Sequence, residues 1–128
     1  MNPGGSVQQA GWMPGMTPGT ALELLGHMQD ELLEIKALLR SAPAAPGERL
    51  LDGIANCAHR ISLAAEKRFP TIAVKAREVA WVADEIIVGY GESCVADLNR
   101  RLIILEDHLR RALYDANERC RRREEEAG

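Results

Sequence analysis

The residues able to do chemistry in this chain are few and scattered. Three histidines, His27, His59 and His108, and three cysteines, Cys57, Cys94 and Cys120, are the only candidates for soft metal ligands or thiol nucleophiles. No His or Cys doublet stands at metal-binding spacing. Cys57-x-His59 comes nearest, but on a helix two positions apart point about 200° away from each other, so the pair cannot grip one ion. Gly89-Tyr90-Gly91-Glu92-Ser93 precedes a helix, where free backbone donors attract anions. It lacks the lysine of a phosphate loop and the strand and further glycines of a dinucleotide site, so it reads as an interhelical turn. Asp84 and Glu85 are adjacent, face different directions and form no acid/base pair. Neither a catalytic site, a metal site nor a cofactor site is expected, and an enzyme is not the expected class.

The remaining concentration of chemistry is arginine. Arg100, Arg101, Arg110, Arg111 and Arg121 to Arg123 lie along the last third of the chain, where a basic stripe would suit phosphate contacts. Acidic residues interleave them, and there is neither helix-turn-helix spacing nor a set of stacking aromatics. Nucleic-acid binding therefore stands as an alternative, behind pairing within the helix. Overall, 16 basic against 19 acidic residues give a net charge of −3, with no global attraction to nucleic acid or anionic lipid. No stretch of about 18 apolar residues exists, and unpaired, widely spaced cysteines suit a reducing compartment. Together with the absence of a recognisable secretion signal, these features point to a cytoplasmic protein.

The elements that must carry these residues are helices. Residues 1–19 hold no charge but contain Pro3, Pro14, Pro18 and five glycines, which predicts a flexible arm that the fold can lose. Trp12, Met13 and Met16 in that arm are either incidental or able to dock on a groove. Thr20-Ala21-Leu22-Glu23 has the form of a capping box and opens a first helix with a stripe of Leu25, Met28, Leu32, Ile35 and Leu39. The prolines at 43 and 46 end it. A second helix from about Glu48 to Arg68 carries Leu50, Ile54, Cys57, Ile61 and Ala64 on one stripe, with Leu51, Ala58 and Ala65 beside it.

After Phe69-Pro70, with Thr71 as the expected cap, a third helix runs to Gly89. It has two apolar lines: Ile72, Ala76, Val79, Ala83 and Ile86, with Tyr90 as a further candidate, and, on another side, Val74, Trp81 and Val88 at sevenfold spacing. Its charges, Arg77, Glu78, Asp84 and Glu85, are expected on one narrow edge, as in a helix sandwiched between two layers. Ser93 is the expected cap of a long fourth helix to Arg123, with Val95, Leu98, Leu102, Leu105, Leu109, Ala112 and Ala116 in register. Acid-first pairs at four-residue spacing, Asp97/Arg101, Glu106/Arg110, Asp107/Arg111 and Glu118/Arg122, mark its outer face. Residues 124–128 form an acidic tail.

The expected architecture is all-α: a bundle of about four helices over 20–123 behind an N-terminal arm, and dimeric. The second line on the third helix must be exposed, covered by another helix of the chain, or buried against a second chain. Val74, Trp81 and Val88 are taken as an interchain surface, because aromatics concentrate in interfaces and four helices offer little to cover both sides.

In size, acidic balance and helix pattern the chain resembles the LasR-specific antiactivator family of bacterial quorum sensing. The resemblance lies in the helix pair from Arg77 to Leu102, with Trp81, Gly89-Tyr90-Gly91 and Glu92-Ser93-Cys94, about a fifth of the chain. It implies a helical homodimer, without enzymatic activity, that binds a LuxR-type transcription regulator and prevents its DNA binding. No contact residues carry over from it. The alternatives are a nucleic-acid-binding helical protein and a structural subunit of a helical assembly.

Overall fold

A computed structural model describes residues 17–41, 47–89 and 95–127. Helix α1 spans Pro18–Ser41, α2 Glu48–Ala65, α3 Pro70–Val88 and α4 Val95–Ala127, and the described residues contain no strand. Each helix packs on the next and α4 returns against α1, while the diagonal pairs do not meet. The result is a four-helix ring around one core. No helix among the described residues is long and apolar enough to cross a membrane.

The helix starts differ from expectation in two places. Thr17, not Thr20, caps α1: its hydroxyl oxygen accepts the Thr20 N–H at 3.1 Å, and its carbonyl accepts the Ala21 N–H at 3.0 Å. Pro18 at the first helical position has its backbone angle already set for the helix and lacks only a donor that would have had no partner there. The last three residues assigned to the arm, Thr17 to Gly19, therefore belong to the cap and first turn; the rest of the arm lies outside the described residues. Likewise Phe69, not Thr71, stands at the start of α3, again followed by proline and without a side-chain cap. Its buried ring anchors this corner, and its carbonyl accepts the Ala73 N–H at 3.0 Å.

The expected stripes form the core. Leu25, Met28, Leu32 and Ile35 of α1, Ile54, Cys57, Ala58 and Ile61 of α2, Ile72, Ala76, Val79 and Ala83 of α3, and Leu98, Leu102, Leu105 and Leu109 of α4 are all buried. The most extensive seam is α2 against α3, rich in alanine: Ala55, Ala58 and Ala65 on one helix, Ala73, Ala76, Ala80 and Ala83 on the other. Such small side chains let two axes approach towards the short end of the usual 8–10 Å. At the α1–α2 seam a Cβ on Gly53 would stand 3.2 Å from Leu38 Cδ1, so glycine there serves close approach.

Helix α3 stops at Gly89, whose φ of 74° is left-handed and whose N–H reaches the carbonyls of Glu85 and Ile86. Helix α4 runs past its expected end at Arg123 to Ala127, so 124–127 continue the helix instead of forming a separate tail. Ser93, its expected cap, lies outside the described residues.

Two point changes probe these ends. Thr17→Ala should destabilise the fold by about 1 kcal/mol by orphaning a helix donor, and Gly89→Ala by about 1 kcal/mol through left-handed strain. Urea denaturation followed by circular dichroism reads both. If Thr17→Ala is silent and Thr20→Ala is not, the cap belongs to Thr20.

Candidate functional site

The structure separates the residues whose side chains could have combined for catalysis. Cys57 is 2% exposed at the α1–α2 seam, whereas His59, two positions on, faces out, as does His27. His108 is half-buried on α4. Among the described residues no three His, Cys, Asp or Glu side chains are grouped to hold a metal ion. Of the Gly89–Ser93 turn only Gly89 is described.

Cys57 has one polar neighbourhood. Arg60 donates through Nη2 to its Sγ at 3.1 Å and through Nε to Glu31 Oε2 at 3.0 Å, laying an ion pair over the thiol between α1 and α2. Burial pushes the Cys57 thiol above its ordinary pKa; the Arg60 charge pulls the other way, and Glu31 adds to the rise. A raised pKa disfavours the thiolate, the form that attacks electrophiles and binds metals. Cys57 is thus a core residue with a polar lid.

Six of the eight arginines of α4 are held by carboxylates. Arg110 and Arg111 pair with Glu106 and Asp107 at the expected spacing. Two other pairings differ from expectation. Arg100 takes Asp97 at 2.7 Å, while half-buried Arg101 crosses to Glu78 of α3 at 3.0 Å. Arg121, not Arg122, binds Glu118. Arg119 adds a pair with Asp115 at 2.9 Å. The reason is tertiary: Arg101 lies on the flank of α4 that meets α3, where an acid on the neighbouring helix is within reach.

Between α1 and α4 a groove of about 280 Å³ has a floor of Leu32, Leu39, Leu102 and Ile103. The Lys36 ammonium and the Glu106 carboxylate bridge it at 2.7 Å. It lies just below the usual size of a small-molecule pocket.

The clearest unsatisfied surface is on α3. Trp81 is 58% exposed, Val74 44% and Val88 56%. The chain does not sandwich this helix: a square ring covers only the inward part of each member, and α3 turns the Trp81 line outward. The charges do not occupy a separate edge either. At 100° per residue, Arg77 and Asp84 flank Trp81 on one side and Glu78 and Glu85 on the other. The surface is therefore a ladder of apolar rungs about 10.5 Å apart with charged pairs between them, not a continuous apolar patch.

Five other exposed apolar side chains escaped the sequence reading: Leu33, Leu63, Ile103, Ile104 and Tyr114, of which Leu63 at 71%, Tyr114 at 68% and Ile103 at 66% are the most open. Their signal was present. Each interrupts a polar helix face, as Leu63 does between Arg60 and Lys67.

The thiol environment makes a direct prediction. Alkylation of the native protein at neutral pH should spare Cys57 and modify it at the rate of a free thiol only after denaturation, as read by peptide mass mapping. Rapid native labelling of Cys57 would show that the Arg60–Glu31 lid opens. Comparison of the chain with protein-family models, curated proteins and solved structures finds no match.

Proposed function

We propose that this chain is a non-enzymatic, protein-binding regulatory module that works as a homodimer in the cytoplasm. The observation that carries the reading is Trp81, a tryptophan more than half exposed on a helix whose other side is core. Aromatic anchors ringed by polar residues dominate binding energy at protein interfaces, and tryptophan is among the most enriched. Val74 and Val88 extend the same surface along α3.

The scattered histidines and the buried, high-pKa thiol support a role without catalysis. The pairing of six α4 arginines with carboxylates weighs against the nucleic-acid alternative, because phosphate contacts would have to break those pairs. The resemblance noted above supplies the partner class to test first, a LuxR-type transcription regulator displaced from DNA.

Two measurements on the purified chain test this reading. Trp81→Glu should leave helicity by circular dichroism intact and shift sedimentation from dimer towards monomer; loss of about 2 kcal/mol at an anchor weakens association roughly thirtyfold. Unfolding of the variant would instead place Trp81 in the intrachain core. In a gel-shift assay the wild-type chain should release a LuxR-type regulator from its operator, and Trp81→Glu should do so less well. A regulator that stays on DNA in the presence of excess chain removes that partner class. A variant that stays dimeric yet fails to release the regulator would assign the surface to target recognition.

A further inference from the structure

The order of charges along α3 says which second chain its outer face fits. Resting on the protein-binding reading above, we infer that a second copy of this protein docks there antiparallel, about a two-fold axis through the Trp81 pair.

An isologous contact requires a surface that complements itself when turned end for end. The apolar residues meet that requirement by symmetry, since Val74 and Val88 stand seven residues before and after Trp81, about 10.5 Å either way. The charges meet it by antisymmetry. Before Trp81 come Lys75 and Arg77, with Glu78 already held by Arg101 at 3.0 Å and by Lys75 at 3.8 Å; after it come Asp84 and Glu85. One half of the helix face is net positive and the other net negative.

The helix geometry makes the pairing specific. Arg77 projects about 40° to one side of Trp81 at about 6 Å towards the helix start, and Asp84 about 60° to the same side at about 4.5 Å towards its end. A two-fold axis lying across the helix carries Arg77 of one copy onto the flank of Asp84 of the second copy, and the converse pair forms by symmetry. On the opposite flank Glu78 meets Glu85 of the second copy, but Arg101 and Lys75 already neutralise Glu78 there.

A parallel pairing does worse. It spends Arg77 of each copy on Glu78 of the other, which Arg101 and Lys75 already neutralise, brings Asp84 of each copy against Glu85 of the other, and gathers these four carboxylates at two helix C-termini, where the backbone dipole is already negative. Antiparallel pairing opposes the dipoles instead. One helix face per copy falls below the roughly 800 Å² per partner of a standard stable interface, so the dimer should dissociate on dilution.

The test is a charge exchange read by sedimentation over a concentration series of the full chain. Arg77→Glu and Asp84→Arg should each weaken the dimer, on the order of fivefold, because each affects two symmetry-related pairs. The double variant Arg77→Glu/Asp84→Arg should recover to within about twofold of the wild type, since attraction is restored with the signs reversed. Both substituted residues are exposed, so helicity should not change.

Oxidative cross-linking gives a second readout. An equimolar mixture of Val74→Cys and Val88→Cys chains should form a 74–88 disulfide between chains, identified by peptide mapping, in preference to 74–74 or 88–88. A dimer without rescue by the double variant, or with 74–74 and 88–88 links, overturns the antiparallel arrangement and leaves the association reading standing. A wild-type chain monomeric at every concentration overturns the second copy as occupant, while the gel-shift assay still decides whether the chain binds a regulator.

Discussion

Everything in this fold depends on burying four amphipathic stripes in one shared core. None of the helices can cover its own apolar side, and most of the stability of a helix in a folded protein comes from packing its amphipathic face, not from propensity. Leu98, Leu102, Leu105 and Leu109 of α4 lie in the same core as Leu25, Met28, Leu32 and Ile35 of α1, and α2 and α3 close the ring through their alanine seam. Closing the ring this way has a geometric consequence. Each helix spends its inward part on the core and turns the remainder outward, whatever residues happen to be there.

Charges finish what the core begins, at modest energy. Glu31–Arg60 ties α1 to α2, Lys36–Glu106 ties α1 to α4, and Glu78–Arg101 ties α3 to α4. Partly exposed pairs of this kind are worth up to about 1 kcal/mol each, so they set register and flank identity more than stability. They also determine what is left for chemistry. Arg60, which could have activated the Cys57 thiol, is shared with Glu31 above a buried sulfur, and burial prevails. Six of the eight arginines of α4 are likewise engaged by carboxylates.

On α3 these two constraints meet. Its inner line of Ile72, Ala76, Val79 and Ala83 is consumed by the core, and Glu78 is drawn to α4, which leaves Trp81 standing between Arg77 and Asp84 on an open face. An exposed tryptophan with ordered charges beside it is a surface of limited area but high directionality. That combination suits an association that concentration can regulate.

The sequence alone determined that the chain is helical and which side of α1, α2 and α4 is buried, because the three- and four-residue recurrence of Leu, Ile, Met and Ala is a local property that any apolar environment satisfies in the same way. It also determined the stop at Gly89, where only left-handed backbone ends the helix. Helix starts were legible to within three residues: Thr17 and Phe69 prevailed over Thr20 and Thr71 because a proline at the next position is already set for the first turn. The divergence of Cys57 from His59 was also legible, because two residues on a helix point about 200° apart, and Cys57 is buried where His59 is exposed. Only the tertiary structure decided that Trp81 faces outward and that Arg101 binds Glu78 in place of Asp97. Those outcomes depend on which helices are neighbours in the ring, and a residue's local pattern carries no record of what stands across from it.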